Sequence, residues 1–169
     1  MDILAQILGV LGLISLLVSL VYTKKDITVK SQVLSNVLFA SQYLCLNAIP
    51  GMIASIISAI RYLVSGIYLK KNKKVPVIII FLFVACIIIP IIFLNYGIMG
   101  IFPLIATLIY TIGIFLNNTK LLRIITLITS SLFIGYNVFV KAYPSLIGNI
   151  LELLISFVAI YKFDINDKN

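Results

Sequence analysis

Apolar residues gather in seven stretches, near 3–22, 31–49, 51–69, 75–94, 101–116, 121–140 and 145–161, cut by charged or turn-forming clusters. Within each stretch they are continuous rather than alternating, which predicts helices and not the strands of a barrel. Only helices or closed barrels satisfy their backbone groups in lipid. A helix needs about 20 residues to cross a bilayer, and the fifth and seventh stretches reach that with frayed turns or local thinning. The second stretch is the least hydrophobic. The first has neither a basic leading segment nor a small-residue cleavage site, so it is expected to be retained as a helix.

Composition agrees with the pattern. Of 169 residues, 62% are hydrophobic and 11% charged, far outside the range of a soluble domain. The prediction is an all-α integral membrane protein of seven transmembrane helices. The net charge of +8 would suit nucleic acid if it formed a basic domain, but the cations sit in short loops, so no nucleic-acid partner is expected. Lys24, Lys25, Lys30, Lys70, Lys71, Lys73, Lys74, Lys120, Arg123, Lys162 and Lys168 fall on one side of a seven-helix topology, with only Lys141 opposite. The positive-inside rule then puts the N-terminus outside and the C-terminus in the cytoplasm of a multi-pass cell membrane protein. Tyrosines 22, 68, 96, 143 and 161 form an interfacial belt in a chain without tryptophan. Cys45 and Cys86 show no pairing or metal-ligand spacing, and a buried apolar role is expected of each. The acceptor pattern Asn117 to Thr119 falls in a predicted cytoplasmic loop, away from glycosylation.

Displacing the chain on itself by 94 residues lays helices 1 to 3 over helices 5 to 7 without a gap. "AIPGMIASI" from Ala48 and "AYPSLIGNI" from Ala142 then coincide, both A-x-P-x-x-I-x-x-I in the turn before the third helix of a half. One helix separates the halves, so both insert the same way round, a parallel repeat about the membrane normal. The expected organisation is a first bundle over 1–69, a basic loop and linker helix over 70–96, a second bundle over 97–163 and a tail over 164–169. Helix 4, apolar on every side and carrying Pro90, suits a lipid-facing connector.

Polar positions supply the candidate chemistry. On helix 2, Gln32, Asn36, Tyr43 and Asn47 lie within roughly 60° on a 3.6-residue wheel. The displacement sends them to Thr126, Ser130, Asn137 and Lys141 on helix 6, so each half offers one wall of a shared cavity. Helix 3 carries a stripe of small residues, Ala54, Ser58 and Ser65, interrupted by Arg61. Helix 7 carries Ser145, Gly148, Glu152 and Ser156, with Asn149 at its margin. A charge near the bilayer centre costs about 3 kcal/mol on insertion scales. Arg61 and Glu152 differ in depth by only about 4.5 Å, given the 1.5 Å rise per residue, and are expected to pair, as a pin between the halves or at a site for a polar or zwitterionic solute. The bland reading of the stripes is that they glue helices together, at about 0.6 kcal/mol for each hydrogen bond.

The three-one-three plan resembles the SWEET, MtN3 and PQ-loop transporters. In detail the chain is similar to the YgjV-type bacterial inner-membrane family, on the strength of "QVLSNVLFASQYLCLNAIPGMIASIISAIRYL" from Gln32, "FPLIATLIYTIGIFL" from Phe102 and "NVFVKAYPSLIGNILELLISF" from Asn137. The resemblance implies a small facilitator of a sugar or similar polar metabolite. It also implies a hinge at Pro103, which is followed here by Leu104 rather than glutamine. Asn36, Tyr43, Asn47, Ser58, Arg61, Ser130, Asn137, Asn149 and Glu152 are the expected substrate-binding or pathway residues. The alternative is a non-transporting receptor, scaffold or regulatory protein of the same fold. Without histidine, a carboxylate dyad or a metal cluster, neither enzyme nor cofactor is expected. Membrane lipid and a small polar solute are the expected partners, with self-association left open.

Overall fold

The computed structural model describes residues 2–22, 24–93, 97–115 and 118–162. Tyr96, Asn117, Lys168 and the expected tail lie outside them. Seven helices are formed by the described residues: α1 (Asp2–Val21), α2 (Lys25–Cys45), α3 (Ile49–Lys70), α4 (Val77–Phe93), α5 (Gly97–Phe115), α6 (Thr119–Val140) and α7 (Tyr143–Ile160). Five of them, α1, α3, α5, α6 and α7, are long and apolar enough to cross a membrane. The protein is an all-α membrane protein of seven helices. α4 is equally apolar but has 17 residues, and α2 is long enough but polar.

α2 starts at Lys25, six positions ahead of the apolar stretch near 31. Its first turn is held by charge rather than by burial. Asp26 pairs with Lys30 at 3.3 Å, one turn on, and with Lys70 at the end of α3 at 2.6 Å. An acid also suits a helix N-terminus, where the backbone dipole is positive. The other end of α2 departs from expectation as well. The helix stops at Cys45, and Asn47 leaves it in the left-handed region, φ 55°.

The turns show why 94 residues is the period. Asn47 N donates to Leu44 O and Ala48 N to Tyr43 O; Lys141 N donates to Val138 O and Ala142 N to Asn137 O. Lys141 takes the same left-handed conformation, φ 59°. Pro50 and Pro144 follow in the first turns of α3 and α7, where a missing N–H costs nothing because that group has no intrahelical partner. Each turn is thus a helix stop, one left-handed residue and a proline-started helix.

α1 packs on α2 and α2 on α3; α5 packs on α6 and α6 on α7. The halves meet where α1 lies on α7 and α3 on α5, two contacts that the 94-residue displacement interchanges. α4 lies against α5 and touches α3. Its Phe83 and Ile87 join Ala54, Ile57 and Leu104 in a buried cluster, so the connector is anchored along one side. Cys86 is exposed on α4 and Cys45 is half-buried, a correction to the buried role expected of both. A helix apolar all round gives a cysteine no preferred face.

Candidate functional site

The polar stripes converge on a central cavity of about 240 Å³. α2 contributes Gln32, Asn36 and Tyr43, α6 contributes Thr126 and Ser130, α3 contributes Ser58 and Arg61, and α7 contributes Ser145, Asn149 and Glu152. Phe39 and Phe133 also line it, one from each half and 94 residues apart. Of the residues expected at the site, Asn36, Tyr43, Ser58, Arg61, Ser130, Asn149 and Glu152 border this one space.

Two expected residues sit elsewhere. Asn47 is exposed in the turn after α2 and lines a separate hollow of about 900 Å³ with Gln6, Lys141 and Tyr143. The wheel that placed it on the stripe runs past the end of the helix, and asparagine is among the few side chains at ease in the left-handed region. Asn137 is fully buried beyond the lining and accepts at Oδ1 from the Tyr43 hydroxyl, 2.7 Å away. Tyr43 and Asn137 are repeat mates, so their bond joins the same position of the two halves.

That bond belongs to an interlock that floors the cavity. The Ser145 hydroxyl at the start of α7 donates to Gln42 Oε1 on α2. The repeat mates of these residues, Gly51 at the start of α3 and Tyr136 on α6, meet in the same way: Gly51 N donates to the Tyr136 hydroxyl at 3.0 Å, which donates to Ala48 O at 3.3 Å. Each half therefore reaches from its second helix to the third helix of the other. The tyrosine also satisfies a backbone donor that the start of α3 would otherwise leave without a partner. Gly51 is required here, since a Cβ would come within 2.7 Å of the Tyr136 ring and 2.9 Å of Tyr43. Gln42, Tyr136, Asn137 and Ser145 are all closed off from the surroundings. From this floor the cavity runs toward the basic loops, lined there by Leu20, Gln32 and Ser156.

Arg61 is 3% exposed. Nη1 donates to Thr111 Oγ1 at 2.8 Å and Nη2 to Ser58 Oγ at 3.3 Å. The guanidinium carbon lies 4.7 Å from the ring centre of Tyr110 and 5.4 Å from that of Tyr62, within cation–π range of both. The Thr111 hydroxyl donates to the backbone carbonyl of Thr107, and the Thr107 hydroxyl to that of Pro103, each at 2.7 Å, so the arginine is anchored on the stretch of α5 that contains the proline.

The direct Arg61–Glu152 pair expected from depth alone is not formed. Neither joins an ion pair with the other, and Glu152 lines the cavity together with Ser130. Equal depth is necessary for pairing but does not set lateral distance, and α5 brings hydroxyls and aromatic faces to the arginine first. Arg61 Nε remains buried without an acceptor. Sequence reasoning missed Thr107, Tyr110 and Thr111. Their spacing from Pro103, i+4, i+7 and i+8, marks one face of α5 and was the available signal.

A family model described as bacterial inner membrane protein, Imp-YgjV, matches residues 3–167. No curated protein and no solved structure matches the chain.

Proposed function

This chain belongs to the Imp-YgjV family of bacterial inner membrane proteins, and from that premise we propose that it is a facilitator for a small polar solute. The solute, a small polar metabolite, would cross through the central cavity between the two halves. The positive-inside rule orients the protein with its N-terminus outside and its C-terminus in the cytoplasm, so the cavity extends toward the cytoplasmic face. Carriage rather than catalysis is the reading, with polar groups that bind and release.

The observation that carries the proposal is what two of the three lining amides do; the third, Gln32, donates to Ser19 Oγ at 2.8 Å and so joins α2 to α1. Asn36 and Asn149 each donate to a carbonyl one turn back on their own helix, Gln32 O at 2.8 Å and Ser145 O at 2.9 Å. Neither amide ties one helix to another, and each leaves its Oδ1 without a protein partner among the described residues. Polar residues that only glued helices would bond across them. The floor adds a second line of support, because its contacts exchange under the internal repeat. A matched pair of contacts lets the two halves close on each other at one end of the cavity.

Flux into liposomes tests the proposal. Purified protein should exchange at least one solute from a panel of radiolabelled sugars and small metabolites faster than protein-free vesicles, and Asn36→Ala should lower that flux. No exchange for any solute would leave a receptor or scaffold as the better reading.

A further inference from the structure

The cavity holds one buried cation and one acid that do not neutralise each other. Arg61 is bonded only to neutral hydroxyls, with Nε unpartnered, and Glu152 lines the cavity without an ion pair among the described residues. Both charges line the same space. A charge among low-dielectric walls seeks a counter-charge or a hydrogen-bonding partner. An anion would satisfy Arg61 and leave Glu152 bare, a cation would do the reverse, and a neutral sugar would leave both uncompensated.

Building on the transport reading, we propose that the ligand is a small zwitterion. Its carboxylate is received by Arg61 and its ammonium group by Glu152. The arginine side is suited to a planar anion: the guanidinium lies over the rings of Tyr62 and Tyr110, 5.4 and 4.7 Å from their centres, its Nε has no acceptor, and a guanidinium offers a carboxylate a planar fork of donors. The acid side is suited to an ammonium group, which has three donors and no acceptor. The free Oδ1 atoms of Asn36 and Asn149 add neutral acceptors to the lining. Size narrows the class. A volume of about 240 Å³ holds about eight waters at roughly 30 Å³ each, which suits an amino acid or a compound of similar size. A zwitterion also leaves the net charge of the site unchanged on binding, so loading adds no net charge to the membrane interior.

Thermal unfolding of the purified full-length protein in detergent, against matched ligands, tests the assignment. The panel is the set of proteinogenic amino acids, their carboxamides, their N-acetyl derivatives, and glucose. At least one free amino acid should raise the midpoint, while its carboxamide and its N-acetyl derivative should not. Arg61→Gln and Glu152→Gln should each abolish the shift, with far-ultraviolet circular dichroism reporting that the helices remain. Should either variant unfold, Asn36→Ala and Asn149→Ala are read instead and should weaken the response at least severalfold. A shift from the N-acetyl derivative equal to that from the amino acid would overturn the proposal in favour of an anion site. A shift from glucose alone, or from no amino acid, would overturn it as well. Liposome flux separates the two readings: a zwitterion that binds but does not cross defeats transport and not the ligand class, and a sugar that crosses defeats the ligand class and not transport.

Discussion

Arg61→Met separates a charge kept for function from one kept for stability. Methionine retains length and fills the space along α3, but it carries no charge and no donor. The favourable terms it removes are the bond to Thr111 at 2.8 Å, the longer contact to Ser58 at 3.3 Å, and the two aromatic faces. A hydrogen bond from a charged group contributes about 1.5–3 kcal/mol, and a desolvated cation–π contact about 2 kcal/mol. Against these stand about 3 kcal/mol to hold arginine at the bilayer centre and about 1–3 kcal/mol for a buried donor without a partner, here Nε. With the long Ser58 contact taken as negligible and the two rings as one contact, about 3.5–5 kcal/mol stands against about 4–6 kcal/mol, and the terms nearly cancel. Thr111 loses little, because its proton already goes to Thr107 O. Arg61→Met is therefore expected to unfold within about 1 kcal/mol of the parent, or later than it, as apolar replacement of buried charge often does. Solute-dependent stabilisation should vanish in the same variant. The assay is reversible unfolding in mixed micelles followed by circular dichroism, with and without solute. A loss of more than about 3 kcal/mol, the size expected when a buried pair is broken, would refute the reasoning and make the arginine structural.

Tyr136→Phe keeps the ring that lies 5.9 Å from Tyr43 but leaves Gly51 N without its acceptor, so the same assay should show a loss of about 1–3 kcal/mol; an unchanged midpoint would mean the interlock carries no energy. Gly51→Ala forces a methyl into the two tyrosines and should cost about 1–3 kcal/mol as overpacking, with a smaller further loss when combined with Tyr136→Ala, which removes the nearer ring and leaves that of Tyr43. Asp26 bears on pH. Its hydrogen bonds to Lys70 and then Lys30 hold its carboxyl below the ordinary value of 3.8, so the stabilisation is present above that value and lost as pH falls through the lowered one. Asp26→Asn should accordingly lower the unfolding midpoint slightly at pH 7 and converge on the parent near pH 2, and 1 M salt should shrink the pH 7 difference; a gap that persists in acid would contradict the assignment.

Much of the scaffold is legible in the sequence because membranes impose simple demands. Unbroken apolar runs and a basic-loop bias identify helices without reference to their neighbours. The 94-residue period is legible because turn chemistry is local: the A-x-P signatures at Ala48 and Ala142 mark the same stop and restart. What a wheel cannot supply is where a helix ends or which helix it meets. Asn47 fell off the stripe because the apolar pattern runs past Cys45 while the backbone turns there. The surroundings of Arg61 were not legible because they come from α5, fifty positions away at Thr111, and lateral neighbours leave no mark in hydropathy. The polar face of α5 at Thr107, Tyr110 and Thr111 lies within a strongly apolar helix, where hydroxyls bonded to the preceding turn read as ordinary membrane residues.

The proposed pathway through the polar cavity opens in turn to both sides of the membrane. Its most direct test is labelling of Asn36→Cys, in a background with Cys45→Ala and Cys86→Ala, by a membrane-impermeant maleimide applied to sealed right-side-out or inside-out vesicles. Labelling should be rapid from the cytoplasmic face, slow from the outside, and faster from the outside when Tyr136→Phe loosens the floor. Protection of the cysteine from both faces, in the parent and in Tyr136→Phe alike, would contradict it.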